Sequence, residues 1–251
     1  MEIQPVQSLE RALTLLEQLA LNHPSGATLT ELASETSLNK TTAYRLLATF
    51  ISFGYISKDL NGTYRLTRRL LELGGTAMPD RDLLTVARPY LDNLSDFCGE
   101  AVHFVVPEGP NILYIYKVDS GVNSVRMASS VGKTAPMYCT AVGKSILAAM
   151  SVQETEEIWH SSDIRQFTKN TVTDFSRLTE QLAQVRTSGY ALDDEENETG
   201  VRCIAAAVLN HKKRPVAALS ISAPAVRLDE SRTKLLIPYV LEAAKKISFF
   251  L

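Results

Sequence analysis

Along the first fifty positions apolar residues recur at helical intervals, and the interruptions are as informative as the runs. Leu9, Ala12, Leu13, Leu16 and Ala20 follow Ser8, a residue suited to capping a helix, and the run stops near His23-Pro24-Ser25-Gly26. Thr28 and Glu31 have the spacing of a capping box, with Leu32 and Ala33 facing inward from the helix it starts. Thr36 and Ser37 break the period, Leu38 can plug the turn, and Asn39 can cap the next helix. There Ala43, Leu46, Leu47 and Phe50 form a stripe at i, i+3, i+4 and i+7. The opposite side carries Lys40, Thr41, Tyr44 and Arg45, with Thr42 near the boundary.

Two short helices across a tight turn, the second with polar residues in its first turns, make a helix-turn-helix, whose second helix enters the DNA major groove. Asn39, Lys40, Thr41, Thr42, Tyr44 and Arg45 are the candidate reading residues. Downstream, Tyr55-Ile56-Ser57-Lys58 and Thr63-Tyr64-Arg65-Leu66 flank Asp59-Leu60-Asn61-Gly62, a hairpin signal. Helices plus a hairpin predict a winged helix-turn-helix, with Lys58 and Arg65 of the wing meeting phosphate.

Arg68 to Met78 continues as a short helical run expected to end at Gly74-Gly75 or Pro79. Leu83, Leu84, Ala87, Tyr90, Leu91 and Leu94 then recur at helical spacing through Phe97, with Pro89 expected to kink the helix or start a new one. The domains expected are therefore residues 1–79 as the DNA-binding unit, 80–97 as a linker helix and 98–251 as a second domain. That domain reads as α/β (α+β) with antiparallel strands at Ala101–Val106, Ile112–Val118 and Val125–Ser129. Helices follow at Ala141–Met150, after the Ser151/Glu154 cap, and along Phe175, Leu178, Leu182 and Val185 to Gly189. A hairpin of Cys203–Leu209 and Val216–Ser222 precedes a last helix from about Asp229 to Phe249, with Pro238 a further kink.

Charge sharpens the picture. The chain carries net charge −2, which argues against a non-specific nucleic-acid coat. Yet between Asn39 and Arg69 stand Lys40, Arg45, Lys58, Arg65, Arg68 and Arg69 against Asp59 alone, a basic segment suited to specific DNA binding. A hydrophobic content of 45% supports a sizeable second core. No apolar run approaches the roughly 18 residues that span a bilayer, and the N-terminus lacks signal-peptide regions. The three cysteines, Cys98, Cys139 and Cys203, give neither a disulfide framework nor a zinc site. A cytoplasmic protein without membrane contact is the simplest expectation.

Three further segments make a family legible: Gly132-K-T-A-Pro136-M-Y-C-Thr140-A-V-Gly143-Lys144-S-I-Leu147, Asp193-D-E-Glu196-N-E-T-Gly200-V-R-Cys203-I-Ala205, and Ala218-L-Ser220-I-Ser222-A-Pro224-A-V-Arg227-Leu228. With Gly99-E-A-V-H-Phe104 and the helix-turn-helix, the chain resembles IclR-family transcriptional regulators over nearly its whole length. Tyr114-I-Y-K-V-D-Ser120 and Val125-Arg126-Met127 also resemble the repressors of that family that sense 2-keto-3-deoxygluconate. The resemblance implies a winged helix-turn-helix joined by a helix to a GAF-like effector-binding domain. Its partners would be double-stranded operator DNA, a small organic-acid effector and further copies of the chain, as a dimer or dimer of dimers. Ser37 stands where a glycine is usual in the turn, Ala223 where one is usual before Pro224, and Ala207 where a proline is usual.

Carried over by resemblance, the effector residues are Met127, Tyr138, Thr140, Ala141, Val142, Gly143, Asp193, Cys203, Ser220 and Ser222. Their chemistry is coherent. Thr140 to Gly143 begin a helix, where amides and dipole favour an anion. Ser220 and Ser222 share a strand face, Met127 and Tyr138 give apolar lining, and Asp193 accepts from hydroxyls. A hydroxy-, keto- or sugar acid satisfies all of these.

Other chemistry has weaker footing. Gly143-Lys144-Ser145 ends like a phosphate loop, but Tyr138 stands where that motif needs glycine. The acidic run Asp193 to Glu198 reads more readily as a solvated loop than as a metal site, and no neighbouring histidine completes a ligand set. His23, His103, His160 and His211 are too scattered to form a constellation. No catalytic residue, metal or cofactor is expected. Two functional classes remain open: a ligand-controlled repressor of a catabolic operon, or a thiol-dependent sensor enzyme built on Cys203 with the winged helix as a protein-docking module.

Overall fold

The structure, a computed structural model, describes residues 6–77, 81–119 and 129–251. The chain divides into two compact units, Met1–Pro79 and Asp80–Leu251.

In the first unit, helices α1 (Gln7–Asn22), α2 (Leu29–Glu35) and α3 (Lys40–Ser52) precede strands β1 (Ile56–Lys58) and β2 (Tyr64–Leu66) and helix α4 (Arg69–Ala77). The capping box forms, with the Thr28 amide donating to Glu31 Oε2 at 2.8 Å and the Glu31 amide donating back to Thr28 Oγ1 at 3.4 Å. Asn39 Oδ1 accepts from the Thr42 amide at 2.7 Å and so starts α3. Ala43 and Leu47 are fully buried, with Leu46 and Phe50 packed beside them. The strands pair antiparallel, Ser57 opposite Arg65.

Helix α1 departs from expectation in its inward face. Leu15 and Leu19 are buried, whereas Leu9, Leu13 and Ala20 are exposed and Leu16 is half-buried. Apolar residues occupy two sides of this helix, and packing against α2 and β2 selects the Leu15/Leu19 side. The helix starts after Val6 without a side-chain cap, so Ser8 lies inside it. Helix α4 also runs through Gly74-Gly75 rather than ending there.

The second unit comprises α5 (Arg81–Cys98), β3 (Ala101–Glu108), β4 (Asn111–Val118), β5 (Thr134–Pro136), α6 (Ala141–Ala149), α7 (Val152–Ser161), α8 (Phe175–Ser188), β6 (Ala191–Asp194), β7 (Val201–Leu209), β8 (Pro215–Pro224) and α9 (Glu230–Phe249). Among the described residues the strands form one antiparallel sheet in the order β5-β4-β3-β8-β7-β6. Helices cover both faces. Ala87 and Leu91 of α5 and Val240 and Ile247 of α9 pack on Phe104, Ile204, Leu219 and Ile221. On the other face Ile146 and Leu147 of α6 and Leu178 and Leu182 of α8 pack with Val105, Ala205 and Ala218.

Helix α5 is thus part of the second unit's core, and it continues through Pro89, as α9 continues through Pro238. Gly189 closes α8 in the left-handed conformation at φ 82°. Met127 and the strand expected at Val125–Ser129 lie, Ser129 apart, outside the described residues. No helix among those described is long and apolar enough to cross a membrane.

Candidate nucleic-acid interface and effector pocket

On α3, Lys40, Thr41, Tyr44 and Arg45 are exposed and Thr42 is half-buried. The stripe of Ala43 and Leu47 fixes this orientation from behind. Asn39 is exposed as well, and its Oδ1 accepts from the Thr42 amide. The Lys40 and Thr41 amides, at the first turn, cannot be served within the helix and face a region where phosphate is favoured. In the wing, Asp59 Oδ1 accepts from the Asn61 and Thr63 amides at 2.9 and 3.0 Å, and Asp59 Oδ2 lies 3.4 Å from Arg65 Nη2. Arg65 is therefore partly compensated, and Lys58 lies 5.2 Å from the Tyr64 ring centre.

The second unit holds a cavity of about 380 Å³ between the sheet and the start of α6. Cross-strand register builds its polar wall. Asp193 stands opposite Cys203, Cys203 opposite Ser222, and Ser220 opposite His103, so neighbouring strands bring these side chains to one face. Thr140, Ala141 and Val142 line it from the α6 N-terminus, where Thr140 Oγ1 accepts from the Gly143 amide at 3.2 Å. The Ala141 and Val142 amides head the helix.

Two expected lining residues lie elsewhere. Gly143 is a packing residue: a Cβ there would stand 2.3 Å from the Met137 Cα. Tyr138 is buried in the helical layer, its hydroxyl donating to the Arg165 carbonyl at 2.8 Å and its ring edge-on to Trp159. The cavity instead gains His103, Tyr114, Ser129, Phe167 and Asn197. Tyr114 and Asn197 fall inside the segments that carry the family resemblance, and His103 lies in Gly99-E-A-V-H-Phe104, but neither lone-histidine chemistry nor strand spacing assigns any of them to the pocket.

The acidic run is solvated only in part, with Asp194 exposed and Glu195 and Glu198 half-buried. Asp193 and Glu196 are buried, and the Glu196 amide donates to Asp193 Oδ1 at 2.7 Å. Glu196 pairs with Lys144 of α6 at 2.5 Å, and Lys144 also donates to Gln181 Oε1 at 3.1 Å. Burial raises the Asp193 carboxyl to about 7, against the pull of the Glu196 amide and the Lys144 ammonium. Burial also pushes the Cys203 thiol up, reinforced by Asp193, so it lacks the electropositive setting that makes a thiolate nucleophile. His103 is forced down to about 3 by burial, then by Lys117. Among the described residues no group of three or more His, Cys, Asp or Glu is arranged to hold a metal ion.

Two family descriptions match the chain: IclR helix-turn-helix domain over residues 8–60 and Bacterial transcriptional regulator IclR C-terminal over residues 75–249. The DNA-binding transcriptional repressor YiaJ of Escherichia coli is 36% identical over 245 residues, covering 96% of this chain and 86% of the relative. The HTH-type transcriptional regulator KdgR of the same organism is 35% identical over 244 residues, covering 97% and 92%. Among solved structures, the Thermotoga maritima IclR superposes with a TM-score of 0.86 at 29% identity, over 98% of both chains.

Proposed function

The chain belongs to the IclR family of bacterial transcriptional regulators, and from that premise we propose that it represses a catabolic operon until a small hydroxy-, keto- or sugar acid enters the α6 pocket. Family membership makes it a DNA-binding, ligand-responsive regulator rather than an enzyme. The thiol-enzyme alternative falls with it.

The observation that carries the ligand class is the meeting of three chemistries in one cavity. The first amides of α6 suit a carboxylate. The Ser220 and Ser222 hydroxyls lie on the same wall, and Asp193 provides a buried acceptor for ligand hydroxyls. The effector set proposed is therefore Thr140, Ala141, Val142, Asp193, Cys203, Ser220 and Ser222. The reading set is Lys40, Thr41, Thr42, Tyr44 and Arg45, with Lys58 and Arg65 on phosphate. The name of YiaJ as a repressor favours that sign of regulation.

Pairing of copies fits the same scheme. The uncovered apolar stripe of Leu9 and Leu13 on α1 is available to a second winged helix, and one near-neutral copy binds DNA weakly. Isothermal titration with a panel of sugar acids, keto acids, glyoxylate and aromatic acids tests the ligand class. Binding confined to aromatic acids would overturn it.

A further inference from the structure

His103 is the most enclosed polar group on the pocket wall, and its contacts have a direction. Nδ1 lies 3.2 Å from Ser222 Oγ and 3.5 Å from Ser220 Oγ, while Nε2 lies 2.8 Å from Ser129 Oγ. Tyr114 packs edge-on at 5.3 Å between ring centres. The Ser129 carbonyl is held from the other side by Lys117 Nζ at 3.1 Å. Burial keeps the imidazole neutral, so it has one N–H and one lone pair, and only one of its two flanks receives a proton.

Ser222 decides which. Its hydroxyl donates to Cys203 Sγ at 3.0 Å. With its only proton directed there, Ser222 Oγ meets His103 as an acceptor, which places the imidazole proton on Nδ1. Nε2 then accepts from the Ser129 hydroxyl. In the opposite tautomer Ser222 would spend its proton on the ring and have none for the pocket.

We infer that His103 is a positioning residue for the effector: its Nδ1–H turns the Ser222 hydroxyl, with Ser220 beside it, into a donor that selects ligands presenting a carboxylate or keto oxygen at that wall. Thiol sulfur is a weak acceptor, so Ser222 surrenders that contact readily to a ligand oxygen. A ligand offering an ammonium at the same place finds one Ser222 lone pair already taken by the His103 N–H. This deepens the reading of the pocket as an acid sensor and rests on it.

Two measurements on the full chain test the inference. Long-range ¹⁵N–¹H correlation spectra report the tautomer of His103 directly; the Nδ1–H form is expected, and the Nε2–H form would overturn the assignment. Isothermal titration with pyruvate, glyoxylate and gluconate then compares wild type with His103→Leu and His103→Asn, whose side-chain amide can stand near the Nδ1 position. Affinity for whichever acid binds should fall roughly 5- to 150-fold in His103→Leu, the range for a stranded polar partner, and return to within a few-fold in His103→Asn. Equal affinity in wild type and His103→Leu, or equal loss in both variants, would overturn the inference. Failure of every acid to bind wild type would instead sink the ligand class, with the tautomer spectrum still deciding the orientation of Ser222.

Discussion

Lys144 and Glu196 meet at 2.5 Å with side chains only 3% and 6% exposed, tying helix α6 to the segment that brings Asp193 and Asn197 to the pocket. The pair stands directly behind the two elements that carry the proposed carboxylate and hydroxyl contacts. Glu196 Oε2 has no hydrogen-bond partner among the described residues, so the pair is only partly satisfied. Removing one partner strands a buried charge. Lys144→Met is expected to cost about 3–5 kcal/mol, while the double change Lys144→Met with Glu196→Leu should recover most of it. Denaturant titration of the three proteins checks this; a double variant as unstable as the single would contradict it.

Asp193 and His103 pull the pH dependence of stability in opposite directions. Asp193 titrates near 7 when folded against 3.8 ordinarily, so between those values the folded protein holds a proton the unfolded chain has lost. Its contribution is present below the unfolded value and is lost as pH rises. His103 titrates near 3 against 6.5, so in that interval the unfolded chain takes a proton the folded protein refuses, and stability is lost as pH falls. Each slope approaches about 1.4 kcal/mol per pH unit where the windows overlap. Asp193→Asn should therefore make the protein more acid-labile between about pH 4.5 and 6.5, and His103→Asn the reverse. Unfolding midpoints across that range test the signs, and slopes of the same sign in the two variants would be inconsistent with both assignments.

Gly143 lets α6 approach the Met137 backbone. Gly143→Ala places a Cβ where backbone atoms already stand at 2.3 Å, and backbone cannot move aside cheaply. A loss of about 1–3 kcal/mol is expected, as for overpacking elsewhere, with weaker effector binding because Ala141 and Val142 shift with the helix. Thermal unfolding and titration of one variant check both effects.

Base reading and phosphate contact should separate on the winged helix. Arg45→Ala is expected to weaken sequence preference by about 1–3 kcal/mol, the worth of one base contact, without changing effector affinity. Lys58→Ala should weaken all DNA sequences alike and reduce the salt slope by roughly 0.9. Fluorescence anisotropy on specific and scrambled duplexes at several salt concentrations distinguishes the two. Loss of effector binding in Arg45→Ala would point to misfolding instead.

The winged helix was legible because its determinants are local. The Thr28 box, the Asn39 cap and the Ala43-to-Phe50 stripe each lie within a few residues of what they control. The inward face of helix α1 is not legible in the same way, because Leu9 and Leu13 satisfy the same period as Leu15 and Leu19, and only tertiary packing chooses between them. The pocket was partly legible for a similar reason. Ser220 and Ser222 follow strand alternation, but His103 reaches them through pairing across 117 residues of sequence. Strands β5 and β6 are three and four residues long, too short for alternation to announce them. The burial of Asp193 and Glu196 depends on Lys144, fifty-two positions from Glu196, and an acidic run alone gives no sign of it.

The most direct test is fluorescence anisotropy of the full chain on its own promoter DNA, titrated with the acids found to bind. At least one hydroxy-, keto- or sugar acid should shift DNA affinity 5- to 150-fold, the span of a coupling free energy of about 1–3 kcal/mol. Salt-sensitive DNA binding that stays unchanged at saturating concentrations of every such acid would contradict the proposed function.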